Sequence, residues 1–530
     1  MKSPHVDKRW AIALVILIGA ILRTIQYGVL ASLSSDEAAL AISVTERDLL
    51  VLLSQPLLYY QVAPVGFLAL EKLAVEVLGN NEAALRLFPY LLSLASLPLF
   101  WRVAARYLGY ATLLGAMIVF AMSPTLVLYG GMAKQYSGDI AVTLLLVWMT
   151  LRCLEGPVSA PRAAFFGVGG GLALLLSHAS VLVAAGLGVL LLFARWRSSS
   201  RPGPTIAICA GWGVGAAILA YTSLSTYSSE TSAFMDAWWR NDFVPAPWLG
   251  FAELLWIPAR VAEAAAYMAA YVNSPSSLPE YAFVVVYGVL LLAGIVHLTR
   301  KDAWKAAALA VPLVAAIAAA AVRLLPLSGR VSLFIGPPLL IWCFGGFDGI
   351  RACLPVAFRP LTRPAALALA IVPIVALLLV IPPPIVQADT LALFREVKAR
   401  WRPDDELVVS RGVWARVMTE YYGHRFGVEG WTHLDRLWGE YTAEEILRGY
   451  LEGIDAQRGS PRTWYYLDGL VECEREAMLG YLSAIGSEIY SVDSRVSRGG
   501  KVSAHLFDLS DPERLDAASA ATWPVPECRD

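Results

Sequence analysis

The sequence has few charged residues and no excess of either sign. Charged residues make up 16% of the 530 residues, and 42 basic residues are balanced by 43 acidic ones, for a net charge of -1. This balance argues against a nucleic-acid partner, because such proteins usually carry a strong basic excess. Hydrophobic residues account for 57% of the chain. Their runs repeatedly reach bilayer-spanning length, which excludes a water-soluble globule and indicates a polytopic membrane protein.

Eleven apolar runs predict transmembrane helices. The first follows Lys2, Lys8 and Arg9 and resembles a signal peptide, but no clear cleavage site follows it, so we interpret it as a retained helix that enters from the cytoplasm. The runs lie at about residues 10–31, 82–101, 110–129, 139–153, 163–178, 180–195, 204–224, 281–298, 305–322, 331–348 and 365–386. The stretch GGGLALLLSHASVLVAAG reads equally as two short helices or one broken helix.

The positions of lysine and arginine predict the orientation. When the runs alternate from a cytoplasmic N-terminus, every short connection on that side is basic, as the positive-inside rule expects. These cations are Arg102, Arg106, Arg152, Arg162, Arg195, Arg197, Arg201, Arg300, Lys301, Lys305, Arg351, Arg359 and Arg363. The opposite, outer face receives three long segments, residues 32–81, 225–280 and 387 to the end. We therefore expect any chemistry on the outer face.

The first two outer segments contain amphipathic stretches. Helical spacing around VTERDLLVLLS and FLALEKLAVEVLG, interrupted by Pro56 and Pro64, predicts helices that lie in the membrane interface. The second segment carries AFMDAWWRNDFVPAPW and an amphipathic FAELLWIPARVAEAAAYMAAYV. Its tryptophans are typical of an interfacial aromatic belt, and a role in stacking against sugars is the alternative.

The tail from residue 388 is richer in polar residues and predicts a small α/β domain on the outer face. DELVVSR, TWYYLDG and VSAHLFDL read as strands, and TLALFREVKARW and EREAMLGYLSAIG read as helices. We therefore expect a transmembrane domain over residues 1–387 and a tail domain over 388–530. The tail has neither a glycine-rich phosphate loop nor a Cys/His set with metal spacing, so it predicts no chemistry of its own.

The six cysteines follow the predicted topology. Four fall in helices or on the cytoplasmic side, where thiols stay reduced; these are Cys153, Cys209, Cys343 and Cys353. Cys473 and Cys528 lie in the outer tail, where an oxidising compartment permits a disulfide. Our hypothesis is that these two cysteines pair.

An acidic pair stands just beyond the first predicted span, in Ser34-Ser35-Asp36-Glu37. Ionisable residues at that depth are costly unless they are used, which makes Asp36 and Glu37 candidates for a functional site. The alternative is a helix N-cap in which Ser35 or Asp36 accepts from free amide groups of the following helix.

Further polar residues are predicted at the same level of the outer face. They are Arg86 at the second span, Lys134, Tyr136 and Asp139 in AKQYSGD, and Arg323 and Arg330 in RLLPLSGR. Each has a structural alternative: the arginines snorkel to headgroups, and Lys134 pairs with Asp139 along a helix. Independent snorkelling gives no reason for the acidic pair nearby, so we expect the cations and carboxylates to converge at the depth of a lipid phosphate.

Three more residues are weaker candidates. Gln61 and Lys72 lie in the first outer loop, where substrate contact and an interfacial structural role are both open. His178 lies near the outer end of a span, where a lone histidine is more often a hydrogen-bonded helix residue than a ligand. Asp36, Glu37 and Asp139 offer oxygen ligands to a divalent cation such as magnesium or manganese, but no spacing is diagnostic of a metal site.

Several blocks together resemble a known family. DEAALAISVTERDLL, QVAPVGFLALEKL, LGNNEAALRLFPYLLSLASL, AKQYSGD and LSGRVSLFIGPPLL are similar, in order, to bacterial proteins of glycosyltransferase family 39. That family belongs to the GT-C membrane glycosyltransferases and is related to protein O-mannosyltransferases and lipid A aminoarabinose transferases. The resemblance covers residues 10 to about 350, and the tail matches only loosely.

The resemblance implies transfer of a sugar from a polyprenyl-phosphate donor to a glycan, lipid or protein acceptor on the outer face of a bacterial inner membrane. Asp36 matches the family's catalytic base, and Glu37 completes its acidic pair. Lys134 and Arg330 match basic positions near the donor phosphate, although some relatives have arginine where Lys134 stands. No cofactor is required by this scheme.

The chemistry agrees with these residue types. A carboxylate assists attack by an acceptor hydroxyl, and fixed cations stabilise the phosphate that leaves. A single displacement inverts the anomeric centre, whereas a double displacement needs a second carboxylate about 5 Å away, for which Asp139 is the candidate.

Two other classes of function remain open at this point. A transporter or flippase of a lipid-linked or anionic solute would use the same cations as a binding site, but internal repeats and polar breaks near mid-membrane would be expected. No convincing repeat is found, which favours the enzyme. A scaffold that binds a partner through its tail would make the Asp36 region dispensable.

Overall fold

The chain forms two units in the computed structural model. The membrane unit comprises Met1–Val29 and Arg47–Pro384, and the tail unit comprises Leu30–Glu46 and Ile385–Asp530. The structure describes residues 4–29, 31–198, 202–245, 251–270, 277–386, 389–410, 413–428, 430–434, 443–494, 501–514, 518–524 and 526. Residues 30–46 thus group with the tail and not with the membrane helices on either side of them. The predicted domain division at 387/388 stays a prediction.

The membrane unit is helical. Helices are labelled in chain order through the whole protein, and α2 belongs to the tail unit. Those of the membrane unit are α1 (Pro4–Gly28), α3 (Leu49–Ser54), α4 (Val65–Leu78), α5 (Glu82–Ala104), α6 (Tyr110–Met122), α7 (Pro124–Gly130), α8 (Tyr136–Leu154), α9 (Ala160–Leu174), α10 (Ala179–Arg197), α11 (Gly203–Thr226), α12 (Ser229–Trp238), α13 (Phe251–Ala270), α14 (Leu278–Lys301), α15 (Ala303–Ala321), α16 (Gly336–Cys353) and α17 (Thr362–Val380).

The polytopic helical fold is confirmed, and the number of spans differs from the eleven predicted. Among the described residues, nine helical segments are long and apolar enough to cross a bilayer, or ten if α6 and α7, bent by 47°, form one span. The remaining prediction, residues 163–178, corresponds to α9. Its 15 residues extend only about 22 Å, short of a hydrocarbon core of about 30 Å. The chain turns over residues 175–178, directly after the last residue of α9.

A buried arginine stabilises the bend between α6 and α7. Pro124 begins α7 and cannot donate a backbone hydrogen bond, so carbonyl oxygens at the end of α6 lose their helical donor. Arg23 of α1 supplies donors instead, to the carbonyl oxygens of Ala121 at 2.6 Å and Phe120 at 3.0 Å and to the Ser93 hydroxyl at 2.8 Å. Its guanidinium therefore joins α1, α5 and α6, since polar backbone groups must be satisfied inside a membrane protein.

Glycines allow two pairs of helices to approach closely. A Cβ on Gly171 of α9 would overlap the backbone of Gly211 in α11, and one on Gly211 would overlap Gly167. Gly294 of α14 meets the Trp342 backbone of α16 in the same way. Van der Waals packing of small residues is a main source of helix association in membranes.

One end of the membrane unit gathers the basic connections. Glu155, just after α8, lies 2.8 Å from Arg106, 3.4 Å from Arg152 and 3.9 Å from Lys305. These three cations come from different predicted cytoplasmic connections. The 19 residues of α8 separate this end from Tyr136 by about 28 Å. The face that this end occupies in a cell stays a prediction.

The tail unit is a mixed sheet with helices. Its five described strands are β1 (Glu406–Val409), β2 (Trp431–His433), β3 (Thr463–Leu467), β4 (Ser487–Asp493) and β5 (Ser503–Asp508), in the order β2-β1-β3-β5-β4. Its helices are α2 (Ser35–Glu46), α18 (Thr390–Arg400), α19 (Val413–Phe426), α20 (Ala443–Asp455) and α21 (Glu472–Ile485). Strands β1, β2 and β3 are parallel, and β5 is antiparallel to β3 and β4.

The predicted α/β character of the tail is confirmed. DELVVSR, TWYYLDG and VSAHLFDL form β1, β3 and β5, and the two predicted helices are α18 and α21. The sequence analysis missed β2, which has only three residues, and β4, which alternates between half-buried and exposed positions at the sheet edge. Central β3 is buried along its whole length.

Candidate active site

The acidic pair lies at the start of α2, and its two members have different roles in the fold. The backbone amide and hydroxyl of Ser34 donate to Glu37 Oε2 at 2.8 and 3.0 Å, and the Glu37 amide approaches Ser34 Oγ at 3.4 Å. This reciprocal arrangement is a capping box. The N-cap predicted through Ser35 or Asp36 is therefore made by Ser34 with Glu37. Glu37 is only 2% exposed, whereas Asp36 is half-buried.

Residues 58–60, between α3 and α4, form a strained turn directly before Gln61. Tyr59 and Tyr60 both have positive φ angles, 55° and 56°, a conformation that costs free energy for residues with a Cβ. The amino group of Lys134, just before α8, donates to Gln61 Oε1. Two predicted site residues, 73 positions apart, are thus in direct contact.

The same loop packs against the turn between α9 and α10. The Gly66 amide at the start of α4 donates to the Leu175 carbonyl oxygen at 2.9 Å. A Cβ on Gly66 would lie 2.8 Å from that oxygen. Only glycine lets the two backbones approach so closely, and this contact holds the start of α4 against the turn after α9.

Asp139 is held inside the membrane unit. Ser177 Oγ donates to Asp139 Oδ1 at 2.6 Å and also lies 2.7 Å from Ser180 Oγ. Asp139 is 7% exposed. Lys134 and Asp139 thus have separate partners: Lys134 donates to Gln61, and Asp139 accepts from Ser177. This arrangement differs from the alternative of an ion pair between Lys134 and Asp139.

A polar cavity opens between this loop and the ends of α10, α11 and α12. The space among its lining residues measures about 440 Å³ and is partly open solvent. Leucines of α3 and α4 form its apolar wall. Its polar lining includes Gln55, Gln61, His178, Ser223, Thr226 and Thr231. His178 Nε2 lies 2.9 Å from Ser223 Oγ, so each of the two side chains has a polar partner at the cavity wall.

Aromatic rings extend from the strained turn to α12. Tyr60 stacks on Phe234 with ring centroids 4.7 Å apart, and Phe234 stacks on Trp238 at 5.8 Å. The predicted tryptophan-rich segment therefore contributes Phe234 and Trp238 to an aromatic stack. This stack packs against the turn before Gln61.

The other predicted site residues of the membrane unit have individual environments. Arg323 is paired with Asp236 at 2.5 Å and lies over the Phe243 ring at 4.8 Å. Lys72 in α4 lies 3.9 Å from Glu76. Arg86 in α5 is buried, and Arg330 is half-buried in the 3₁₀ turn Gly329–Ile335.

Tyr136, the first residue of α8, packs edge to face on Tyr129 with ring centroids 5.4 Å apart. Tyr129 in turn accepts a hydrogen bond from the Tyr267 hydroxyl at 3.0 Å. Tyr136 therefore belongs to an aromatic group that joins α7, α8 and α13.

The structure brings Gln61 to Lys134, and His178 to the same cavity as Gln61. Ser177 and Ser223, the partners of Asp139 and His178, were not among the predicted site residues. A hydroxyl in an apolar helix carries no distinctive sequence signal, although the polar break at Ser177-His178 inside an apolar run was visible. The strained tyrosines before Gln61 had no local signature either.

Metal and disulfide predictions have separate outcomes. Within the described part of the chain, no three His, Cys, Asp or Glu side chains gather in a way that would hold a metal ion. Cys473 takes part in a disulfide, but Cys528 lies outside the described residues, so the predicted pairing stays a prediction.

No protein-family model and no curated protein matches this sequence. Solved structures do resemble the chain. ArnT from Cupriavidus metallidurans bound to undecaprenyl phosphate is 11% identical with a TM-score of 0.48, covering 95% of this chain and 98% of its own. The archaeal oligosaccharyltransferase AglB from Archaeoglobus fulgidus, in complex with an inhibitory peptide and a dolichol-phosphate, is 11% identical with a TM-score of 0.45, covering 91% and 73%.

The arabinofuranosyltransferase AftD from Mycobacteria is 16% identical with a TM-score of 0.42, covering 96% of this chain and 42% of its own. At TM-scores below 0.5 these likenesses assign neither a substrate nor a residue role to this chain.

Proposed function

We propose that this protein is a membrane glycosyltransferase that transfers a sugar from a polyprenyl-phosphate donor to an acceptor on the outer face of a bacterial inner membrane. The observation that carries the proposal is the polar cavity of the membrane unit. It combines an apolar wall with Gln61 and His178, and the cation of Lys134 is bonded to Gln61. Hydroxyl and amide groups of this kind suit a sugar, and a cation beside them suits a phosphate.

Asp36 acts as the general base in this proposal. Asp36 matches the family's catalytic base in the sequence resemblance, and the hydrogen bonds from Ser34 give Glu37 a capping role. The acceptor hydroxyl oxygen attacks the anomeric carbon while Asp36 takes its proton. The bond from the anomeric carbon to the phosphate oxygen breaks, and the electron pair leaves with the polyprenyl phosphate. A positioned base of this type contributes about 10²- to 10⁴-fold in rate.

Lys134 and Arg330 bind the donor phosphate in this proposal, with Arg86 as a further cation. Negative charge grows on the phosphate as the bond breaks, so fixed cations stabilise the transition state more than the ground state. We leave Arg323 outside the proposed site, because Asp236 and the Phe243 ring already engage its guanidinium.

The environment of Asp139 supports a single displacement with inversion. A double displacement needs a second carboxylate that is accessible to the anomeric carbon. Asp139 is buried and accepts a hydrogen bond from Ser177, which suits a structural carboxylate better than a nucleophile.

The test is single-turnover transfer by the purified full chain. Wild type, Asp36→Asn and the control Glu472→Gln are each offered a panel of radiolabelled polyprenyl-phosphate sugars with a membrane extract as acceptor. Glu472 is an exposed acid in the first turn of α21, as Asp36 is an acid in the first turn of α2. We expect transfer by the wild type and the control, and loss of transfer with retained donor binding for Asp36→Asn.

Two results would overturn the proposal. One is equal transfer by wild type and Asp36→Asn, which removes Asp36 as the base. The other is absence of transfer from every donor together with movement of labelled lipid across liposome membranes by both proteins, which identifies a flippase instead.

A further inference from the structure

Within the tail unit, a buried tyrosine of α19 contacts the backbone just before Asp36. The amide of Leu33 donates a hydrogen bond to the Tyr422 hydroxyl at 2.7 Å, across 389 positions of sequence. Both residues are buried, with exposed fractions of 1% for Leu33 and 0% for Tyr422. Because a buried backbone amide without an acceptor is costly, this bond fixes the path of the chain at Leu33.

The neighbouring residues are fixed in the same way. The Thr390 amide at the start of α18 donates to Ser32 Oγ at 3.0 Å. Ser34 donates to Glu37 in the capping box at 2.8 and 3.0 Å. Residues 32, 33 and 34 are therefore each held by a hydrogen bond in the three positions nearest the first turn of α2.

Tyr422 is itself rigidly packed. Its ring lies against Phe394 of α18 at 6.1 Å and meets Tyr421 edge to face at 5.0 Å. Phe394 in turn lies 5.5 Å from Tyr466 of central strand β3. Tyr422, Phe394 and Tyr466 thus form a continuous row of packed rings from the Leu33 amide to the core of the sheet. In addition, α2 packs along α19, the helix that contains Tyr422.

We propose that Tyr422 is a positioning residue that sets the place of the Asp36 carboxylate during sugar transfer, a role that rests on the function proposed above. The sequence of the tail predicts no chemistry of its own. Its contribution is geometric: it holds the segment that begins α2. A base must lie within hydrogen-bond reach of the proton that it takes, so a small displacement of α2 lowers the rate of the chemical step without weakening donor binding.

The experiment compares Tyr422→Phe with Tyr465→Phe in the full-length protein. Both substitutions remove one hydroxyl from a fully buried tyrosine of the tail unit. Tyr465 lies in β3 and packs edge to face on Phe507, so Tyr465→Phe serves as the matched control. Backbone hydrogen exchange of residues 31–40 is measured alongside kcat and the KM for the donor.

We expect Tyr422→Phe to speed exchange of residues 31–40 and to lower kcat on the order of tenfold, since a displacement of about 1 Å costs as much as 10²-fold. Donor KM should stay within about twofold, because the donor is bound through other residues. Tyr465→Phe should match the wild type in all three measurements.

Contrary results are separable. If the wild type transfers sugar but Tyr422→Phe keeps full kcat, or raises KM with kcat unchanged, the positioning role is wrong while the enzyme remains. The role is also wrong if Tyr465→Phe lowers kcat as much. If the wild type transfers no sugar at all, the proposed function itself has failed, and the wild-type arm reports this without any variant.

Discussion

Asp36 and Glu37 are adjacent in sequence but point about 100° apart on α2, so one cap and one proton transfer can be divided between them. Glu37 accepts from both the amide and the hydroxyl of Ser34. Under the proposed function, Glu37 makes the cap and Asp36 takes the proton, so each acid of the pair has its own task.

The first prediction concerns Glu37. Glu37→Gln keeps an acceptor at the third position of the helix, and we expect transfer activity and thermal stability near those of wild type. Glu37→Ala removes the acceptor and should lower the free energy of unfolding by about 1 kcal/mol. Thermal unfolding and single-turnover transfer measure both. Loss of transfer in a stably folded Glu37→Gln would instead make Glu37 part of the chemistry.

A second prediction at residue scale concerns Arg23. Arg23→Met keeps much of the side-chain volume but leaves the carbonyl oxygens of Phe120 and Ala121 without their donor. We expect a loss of about 2–3 kcal/mol in stability, since buried acceptors keep their full desolvation cost. Arg9→Met is the control, because Arg9 is exposed on the same helix. Equal thermal midpoints for the two variants would contradict the role of Arg23 in stabilising the bend between α6 and α7.

At the scale of elements, the α9–α11 crossing depends on glycine. Gly211→Ala should destabilise the protein, since its Cβ would overlap the Gly167 backbone. Gly213→Ala on the same helix meets nothing within 4 Å, and we expect a gain of up to about 1 kcal/mol from lower chain entropy in the unfolded state. Thermal unfolding of both variants measures the contrast, and a stabilising Gly211→Ala would show that the helices have room to separate.

Asp405, directly before strand β1, forms an ion pair with Arg462. This ion pair predicts that the stability of the protein falls at acid pH. Burial would raise the pKa of Asp405, but hydrogen bonds from Arg462, the Arg402 amide and Trp464 lower it below its ordinary value. A lowered folded-state pKa contributes stability that is fully present above the unfolded value of about 4 and is lost as pH falls through the folded value. We therefore expect the stabilisation by Asp405 to disappear below about pH 4.

Asp405→Asn tests this assignment, because the amide cannot be titrated. Thermal unfolding followed by circular dichroism at pH 7 and pH 3 should show a smaller acid-induced loss for Asp405→Asn than for wild type. An equal loss in the two proteins would place the acid sensitivity in other carboxylates.

At the scale of the whole molecule, the proposed function assigns donor binding to Lys134 and proton transfer to Asp36. Lys134→Gln should weaken donor binding by at least tenfold, since a hydrogen bond to a charged group contributes about 1.5–3 kcal/mol. Lys134→Arg keeps the charge and should retain most of the affinity. Equilibrium binding of a labelled polyprenyl-phosphate sugar measures both.

For Asp36→Asn we expect the opposite pattern to that of Lys134→Gln. The variant should bind the donor as tightly as the wild type but should not transfer the sugar. A fall in donor affinity for Asp36→Asn as large as that for Lys134→Gln would contradict the division of work.

Part of the candidate site was predictable from the sequence. The acidic pair and Lys134 stood out because ionisable groups are rare beside membrane spans, whereas Gln61 and His178 were weaker candidates. Ser177 and Ser223 did not stand out, because a serine in an apolar helix is common and becomes meaningful only through its partner. Which residues cap α2 was open in the sequence, and the hydrogen bonds from Ser34 show that Ser34 and Glu37 make the cap.

The sequence by itself determined the helical membrane fold and the α/β tail, because hydropathy and periodicity are local properties that each segment carries alone. Tertiary structure alone decided that residues 30–46 join the tail, that α9 stops short of a full span, and that Lys134 meets Gln61. Those features depend on contacts between residues 73 to 389 positions apart. Such contacts follow from packing and hydrogen-bond satisfaction across the folded chain, and they leave no periodic pattern in the sequence around either partner.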